Sequence, residues 1–328
     1  MNPQRLDVQG LRVFIVLKGG IPITTLTFPV LPAESGRQVK QILRARGVSV
    51  RLTNRLKRTP MGLCLNGSTV VRTVDPVFAG DVLTLRIPED ESPPEAIDYA
   101  LDIVYEDSDI LVVDKPPTLP MHPSHNHQGD TLANAVAAHM ARQGRQVVFR
   151  AAGRLDKGTS GLVVCCLHPF AASQLGGKVR KTYFALAHGD YADEGCFRNA
   201  IYRPYPNRTL RACRDYEAPR EPGDETAVTH WQALAGDGEV TLLRVWLETG
   251  RTHQIRAHFA HQGTPLLGDD YYGAPAREEP GHCLHCGRAE FTHPVTGEPM
   301  SLRAPLPERM RAVAEKFSNW LACAEETC

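Results

Sequence analysis

The residue of this chain whose setting most favours chemistry is Asp156, a carboxylate in a turn of small, polar and basic residues. Loop residues 157–160 follow it, and an apolar run over 161–167 then predicts a buried strand. A carboxylate at such a turn can act as a nucleophile or as a general base. A lone Asp in a loop more often caps a turn, and this segment by itself leaves both interpretations open.

A second group of reactive side chains lies in the basic block 247–258, which contains Arg251, His253 and Arg256. An arginine placed beside a carboxylate favours its ionised form and fixes its orientation, as a nucleophile or base at neutral pH requires. The alternative interpretation of this block is a solvated basic face.

The sequence also predicts the elements that would position these groups. The apolar pattern of residues 240–247 predicts a strand. Ile255 and Phe259 are four residues apart and predict the apolar face of a helix, which Gly263 would end.

Tyr183 lies in the run 181–186, whose aromatic and apolar pattern predicts another strand. An aromatic residue in a strand usually belongs to the core, so the pattern alone gives this tyrosine no catalytic role.

Four blocks, met in the expected order along the chain, resemble the motifs of the RluA-type family of RNA pseudouridine synthases. The first block contains arginine, leucine and aspartate at 154–156, followed by threonine, serine, glycine and leucine at 159–162. The other blocks and a shorter closing match cover residues 105–124, 181–186, 247–273 and 284–307. The resemblance extends over roughly residues 98 to 310. Gly153 and Cys286 depart from the family pattern, and neither departure removes a catalytic position.

The resemblance implies a fold and a set of roles. The fold would be α+β, with a mixed, largely antiparallel central sheet, flanking helices and a small N-terminal α/β RNA-binding module. Asp156 would be the catalytic carboxylate, Arg256 its basic partner, and Tyr183 the ring that stacks on the target base. The implied substrate-binding or RNA-binding residues of this region are Arg154, Arg251, His253 and Ile255.

The N-terminal part of the chain predicts a separate basic module. Eight basic residues and no acidic residue occur between Arg37 and Arg58, and such a local field attracts phosphate. Two predicted helices, an Asn-Gly hairpin and a closing strand resemble the alpha-L RNA-binding module. A solvated helix pair is the alternative. The residues predicted to bind RNA are Arg44, Arg46, Arg51 and Arg55.

We expect four segments along the chain. Residues 1–23 are an unassigned extension, 24–87 the RNA-binding module, 88–97 a charged, proline-rich linker and 98–328 the catalytic domain. Residues 203–225 are long and polar and predict a surface loop near the RNA.

Composition narrows the class of protein. Lys plus Arg and Asp plus Glu are both 37, so the net charge is zero and does not by itself indicate nucleic-acid binding. No run of 18 apolar residues occurs, so we expect no membrane span. Nine cysteines in 328 residues do not form a disulfide framework and favour a reduced, cytoplasmic protein.

Two clusters contain metal-ligand residue types. They are His122 with His125 and His127, and the segment His282–Cys286 with its C-x-x-C spacing. Neither forms a complete zinc pattern, so we expect no metal. No phosphate-cradling glycine loop is present, so we expect no nucleotide cofactor and no cofactor of any kind.

The sequence therefore predicts an enzyme that isomerises uridine to pseudouridine in structured RNA, ribosomal or transfer, with large-subunit ribosomal RNA favoured and a monomer as the expected form. A glycosidic-bond hydrolase is a competing enzyme class, although such enzymes often use a carboxylate pair. An RNA-binding protein without catalysis is the alternative outside enzymes.

Overall fold

The computed structural model of the chain describes residues 12–15, 23–88, 93–124, 127–273 and 281–318. These residues form two sheets with helices packed on them, and the architecture is α+β, as predicted. None of the helices in these ranges is long and apolar enough to cross a lipid bilayer.

The N-terminal region forms the smaller sheet. In chain order its elements are β1 (Arg12–Ile15), β2 (Ile23–Pro29), a 3-10 turn (Pro32–Glu34), α1 (Val39–Ala45), α2 (Val50–Arg58), β3 (Leu63–Leu65), β4 (Thr69–Val70) and β5 (Val82–Pro88). The strands pair antiparallel in the order β1-β2-β5-β3-β4. Asn66 and Gly67 both have positive φ angles, as the predicted two-residue hairpin requires.

The two N-terminal helices pack against this sheet through the faces that the sequence predicted. The buried apolar positions are Val39, Ile42, Leu43, Leu52 and Leu56. Gly47 follows α1 with a φ of +72°. Ser49 caps α2, because its hydroxyl oxygen accepts a hydrogen bond from the amide of Leu52 at 3.2 Å.

The larger sheet follows. Its elements are β6 (Asp102–Glu106), β7 (Ile110–Lys115), α3 (Leu132–Arg142), β8 (Ser160–Cys166), α4 (Pro169–Leu175), β9 (Arg180–His188), β10 (Glu194–Tyr202), β11 (Ala212–Asp215), β12 (Glu225–Gly236), β13 (Val240–Leu247), α5 (Gln254–His261), a 3-10 turn (Asp270–Tyr272), β14 (Leu284–Thr292), β15 (Pro299–Arg303) and α6 (Glu308–Ala314). The strand order is β11-β10-β12-β13-β9-β14-β8-β7-β6, with β15 beside β14. Strands β8 and β14 pair in parallel and the other neighbours pair antiparallel, which confirms the mixed, largely antiparallel sheet.

The alternation of β9 divides its side chains between two layers. Tyr183 belongs to the core cluster that contains Phe259 of α5. Phe184 and Leu186 belong to a second cluster with Met310 of α6. Successive side chains of a strand point to opposite faces, so α5 and α6 cover opposite faces of the large sheet.

The two sheets contact each other through α4. Phe170 packs on Phe28 of β2 with ring centroids 6.0 Å apart, and Val295 joins the same apolar cluster. The side-chain amide of Gln174 donates a hydrogen bond from Nε2 to the backbone carbonyl of Gly47 at 2.6 Å. The small sheet is thus held on the region of the large sheet by both apolar and polar contacts.

The stretch 203–225 differs from its prediction as a plain surface loop, because it contains the edge strand β11. This strand pairs with β10 from Asn199 opposite Asp215 to Tyr202 opposite Ala212. Four strand residues among prolines and charges give too short an apolar alternation to be recognised, and the pairing with β10 defines the strand.

Candidate active site

Asp156 lies in a tight turn that leads into β8. Its carbonyl oxygen accepts a hydrogen bond from the amide of Thr159 at 3.1 Å. Gly161 follows with a φ of +108°, and a Cβ at this position would lie 2.4 Å from the carbonyl oxygen of Cys286 on β14. Only glycine fits this close approach, which fixes the turn against the sheet. The Asp156 side chain is 18% exposed, so the carboxylate is largely buried but remains accessible.

Arg256 of α5 lies beside this carboxylate. Its Nη1 is 3.6 Å from Oδ2 of Asp156, while its Nε and Nη2 each donate to Asp269 at 2.8 Å. The bidentate pair with Asp269 fixes the plane of the guanidinium. Burial opposes the positive charge of Arg256, but the hydrogen bonds and negative charges of Asp269 and Asp156 outweigh it and raise the pKa of the guanidinium.

His253 stands just before α5 in a left-handed conformation with a φ of +56°. Its Nε2 is 3.9 Å from Oδ2 of Asp156, and its Nδ1 is 3.1 Å from the hydroxyl of Tyr272. Burial lowers the pKa of His253 to about 4, although Asp156 acts in the opposite direction. The imidazole is therefore neutral near pH 7, and its contact with Asp156 is not an ion pair.

Tyr183 of β9 is buried close to the same carboxylate. Burial, together with Cys286 and the charge of Asp156, raises the pKa of Tyr183 well above its usual value. The phenol therefore stays neutral, and its ring supplies an apolar surface beside Asp156.

Lys115 contacts the backbone of the turn that contains Asp156. Its buried Nζ donates to the carbonyls of Pro116 at 2.8 Å, of Leu119 at 3.0 Å and of Lys157 at 3.0 Å. Burial lowers the pKa of Lys115 to about 7, against the opposing effect of Asp156. These three bonds join the loop after β7 to Lys157, the residue that follows Asp156.

Three residues of this site were not singled out from the sequence, namely Lys115, Asp269 and Tyr272. All three lie inside the blocks on which the family resemblance rested. Asp269 offered a detectable signal, because a buried arginine needs a carboxylate partner and this block supplies one.

The other predicted site residues of this region lie in different environments. Ile255 is 4% exposed and packs in the core on α5, which confirms its predicted apolar helix face, while its contact with RNA stays a prediction. Arg251 is exposed and pairs with Glu225 at 2.9 Å. Arg154 is exposed at the catalytic turn, two residues before Asp156.

The predicted basic residues of the N-terminal helices do not share one environment. Arg44 and Arg51 are exposed. Arg55 is half-buried and donates to a backbone carbonyl at the end of β5. Arg46 is buried and forms two hydrogen bonds with Glu34, at 2.6 Å and 2.9 Å. The expectation that Arg46 contributes to an RNA-binding surface is therefore wrong, since its guanidinium serves an internal ion pair.

The two histidine clusters considered as metal sites have other partners. His127 pairs with Asp130 at 2.6 Å, and His125 lies outside the described residues. His282 and His285 are buried and bond to hydroxyl groups, at 2.8 Å to Thr159 and at 3.0 Å to Ser160.

Among the residues that the structure describes, one group brings ligand-type atoms together: Asp107, Asp109 and His293. Nδ1 of His293 accepts from the amides of Val295 and Thr296, so the ring proton resides on Nε2 and is donated to Asp107 at 2.8 Å. The geometry is that of a hydrogen-bonded histidine, whose nitrogens are both occupied, and it does not suit a metal.

The arrangement around Asp156 is suited to covalent or proton-transfer chemistry on a planar, uncharged ring. The Asp156 carboxylate lies beside an arginine that is itself held by a second carboxylate. A neutral tyrosine and a neutral histidine flank it and contribute no competing charge.

Known proteins resemble this chain over most of its length. The sequence profile of the RNA pseudouridylate synthase family matches residues 109–261. An uncharacterized RNA pseudouridine synthase of Bacillus subtilis is 35% identical over 281 residues, which are 83% of this chain and 96% of that protein. Ribosomal large subunit pseudouridine synthase D of Vibrio cholerae is 35% identical over 76% of this chain and 81% of its own length.

Solved structures give the same fold. The human RNA pseudouridylate synthase domain-containing proteins 4 and 1 both superpose with a TM-score of 0.53, at 21% and 23% identity. The first comparison covers 63% of this chain and 89% of the human chain, and the second covers 67% and 88%.

Proposed function

Because the chain belongs to the RluA-type family of RNA pseudouridine synthases, we propose that it isomerises specific uridines of structured RNA with Asp156 as its catalytic carboxylate. The observation that carries this assignment is the 3.6 Å approach of Arg256 to Asp156, with Arg256 fixed by Asp269. Enzymes of this family are isomerases.

The reaction defines what the site must do. The bond between C1′ of the ribose and N1 of uracil breaks, and a bond between C1′ and C5 forms. A proton leaves C5 and a proton is gained at N1, so the composition of the nucleotide is unchanged. Asp156 acts as the nucleophile or as the base in this exchange, and either role requires an ionised carboxylate.

Arg256 orients Asp156 for either role. Its buried guanidinium lies within 4 Å of the carboxylate and supplies a positive charge beside its oxygens. Asp269 prevents Arg256 from turning away, so the carboxylate is preorganised before RNA binds.

Tyr183 and Arg154 have complementary proposed roles. A uridine within a stacked helix must be extruded before its glycosidic bond can be reached, at a cost of a few kcal/mol. Tyr183 would receive the extruded uracil on its ring. Arg154, exposed at the turn, would hold the base or fill the space that it leaves, since a planar guanidinium both stacks and binds phosphate.

Several observations support large-subunit ribosomal RNA as the substrate. Relatives with 35% and 32% identity are ribosomal large subunit pseudouridine synthases D, from Vibrio cholerae and Haemophilus influenzae. The N-terminal module, residues 24–87, would supply a second RNA contact through Arg44 and Arg51. We propose a monomer acting in the cytoplasm, since one chain contains the whole site and its seven described cysteines are free thiols.

The test is a nucleotide-resolution map of pseudouridines in total RNA from cells that lack this gene. We expect one or more large-subunit sites to disappear and to return with the wild-type gene but not with Asp156→Asn. Asp190→Asn is the matched control, because Asp190 is an exposed carboxylate on the turn after β9. Restoration by Asp156→Asn would contradict the catalytic assignment, and loss confined to transfer RNA would contradict the proposed substrate.

A further inference from the structure

The loop that joins β10 to β11, residues 203–211, has an unusual composition, and we call it the hairpin tip. It contains Arg203, Tyr205, Arg208 and Arg211 and no acidic residue, so its formal charge is +3 from three arginines. The flanking stretch 212–225 contains five carboxylates, so the positive charge is concentrated at the tip.

The hairpin tip is held against the active site by two tyrosines. The amide of Arg211 donates to the hydroxyl of Tyr272 at 3.0 Å, and the hydroxyl groups of Thr209 and Tyr271 are 3.4 Å apart. Tyr272 in turn contacts the catalytic groups, because its hydroxyl is 3.1 Å from His253 and its ring centroid is 4.9 Å from Cζ of Arg256. The tip therefore lies one side chain away from the residues that position Asp156.

The three arginines of the tip form no ion pair with any residue that the structure describes. Arg203 and Arg211 donate instead to carbonyl oxygens of the tip itself, at 3.3 Å and at 2.7 Å and 3.0 Å. These bonds fix the shape of the loop and leave its charge uncompensated. Arg214 on the neighbouring strand differs, because Glu221 and Asp224 both lie 3.1 Å from its guanidinium.

An aromatic ring accompanies this charge. Tyr205 is 53% exposed, and Cζ of Arg208 lies 5.5 Å from its ring centroid. An exposed ring beside uncompensated guanidinium groups is the combination that binds single-stranded nucleic acid, because bases stack on the ring and phosphates neutralise the cations.

We propose that the hairpin tip is a further RNA-binding element, which grips the unpaired strand next to the target uridine. Arg203, Arg208 and Arg211 would bind its phosphates, and Tyr205 would stack on one of its bases. This inference rests on the proposed function, because that function identifies the bound polymer as RNA. The hairpin tip is separate from the N-terminal basic helices.

The test compares two double variants that remove the same charge. Arg203→Gln with Arg208→Gln alters the tip, whereas Arg142→Gln with Arg180→Gln removes two exposed arginines that lie outside residues 203–225. The probes are a short fluorescein-labelled oligouridylate and a labelled RNA duplex, each titrated over a range of salt concentrations. The tip variant should lower the salt slope for the single strand by about 1.4, since each contact to single-stranded phosphate contributes about 0.7.

Tyr205→Ala should weaken oligouridylate binding at least about fivefold and leave the salt slope unchanged, because it removes stacking and no charge. Both tip variants should slow single-turnover pseudouridine formation in a large-subunit ribosomal RNA transcript at limiting enzyme. The control variant should match the wild type in all three measurements.

The outcomes separate this inference from the proposed function. If the wild type modifies the transcript and the tip variants bind the oligouridylate as tightly as the control, the tip is not an RNA contact although the enzyme assignment stands. If the wild type modifies no RNA, the binding titrations still decide the role of the tip. Labelled polyglutamate serves as a probe for acidic proteins. If the tip variants bound polyglutamate more weakly than the wild type but bound RNA equally well, the tip would be assigned to an acidic protein and the proposal would be overturned.

Discussion

The charged groups around Asp156 and those of the N-terminal helices are held in opposite ways. Asp156, Arg256 and Asp269 form a chain of paired charges that are largely buried. On the N-terminal helices Arg44 and Arg51 are exposed to solvent. Paired and buried charges define a geometry, whereas exposed cations attract phosphate at long range without fixing a position.

Arg46 shows that the boundary between these two classes does not follow the sequence. It lies two residues from Arg44, but it is buried against Glu34 in the manner of the catalytic charges. The comparison therefore predicts that substitutions within one short basic run affect different properties of the protein.

Apart from replacement of Asp156 itself, the largest effect should come from Asp269→Asn, which removes the partner of Arg256. This change leaves Arg256 buried with only the longer contact to Asp156, and breaking a buried ion pair costs about 3 to 5 kcal/mol. We expect the free energy of unfolding in urea to fall by about 3 kcal/mol. Single-turnover pseudouridine formation should slow by about a hundredfold, because Arg256 is no longer oriented. An unchanged rate would show that the orientation of Arg256 does not matter for catalysis.

Arg46→Gln and Arg44→Gln should affect different properties: the first should lower stability and the second should weaken RNA binding. Arg46→Gln should lower the free energy of unfolding by about 3 kcal/mol, because Glu34 remains buried without its partner. Arg44→Gln should change stability by less than about 0.5 kcal/mol and reduce the salt dependence of RNA binding by about one contact. Urea titrations and RNA binding at several salt concentrations measure both. If the two variants behaved alike, the distinction between buried and exposed arginines would have no energetic meaning.

The two regions should also differ in their response to mild acid. Burial lowers the pKa of His253, His258 and His285 to about 4, whereas residues 1–97 contain no histidine. The unfolded chain binds protons at these histidines below about pH 6.5, and the folded chain does not until about pH 4. The unfolded state is therefore favoured as pH falls through this window, and the catalytic region loses stability.

The N-terminal region should resist this range of pH. Burial opposes ionisation of Glu34, but hydrogen bonds from Arg46 and the Leu31 amide lower the pKa of its carboxyl below the usual 4.5. The stability that Glu34 contributes is therefore present above pH 4.5 and is lost only in stronger acid. Amide hydrogen exchange, corrected for its intrinsic pH dependence, should show early loss of protection in the large sheet and later loss in the small one. Simultaneous loss would mean that the contacts of α4 with Phe28 and Gly47 make the two sheets unfold as one unit.

Much of the fold followed from local pattern. The strand predicted at residues 240–247 has those bounds in the structure, and Ser49 caps α2 as expected. Apolar alternation, cap residues and an Asn-Gly pair act over a few residues, so a single sequence reveals them. Tyr183, Asp156 and Arg256 come from distant segments, and the family resemblance rather than any local pattern placed them together.

What the sequence did not reveal depends on contacts between distant residues. The burial of Arg46 is determined by Glu34, which lies twelve positions earlier. Asp269 and Lys115 act through residues that lie in other elements, and β11 exists as a strand because β10 lies beside it. Ile255 lies in a block that resembles a binding motif, but its helical position turns it towards the core.

The central claim is that an ionised carboxylate at Asp156, oriented by Arg256, carries out the isomerisation. The measurement that tests it most directly is tritium release from large-subunit ribosomal RNA transcribed with uridine labelled at C5, because the C5 proton leaves only when the new bond forms. Wild type and Asp190→Asn should release tritium at equal rates, and Asp156→Asn should be slower by more than about a thousandfold while it still binds the RNA. Release by Asp156→Asn at a rate near that of the wild type would contradict the account.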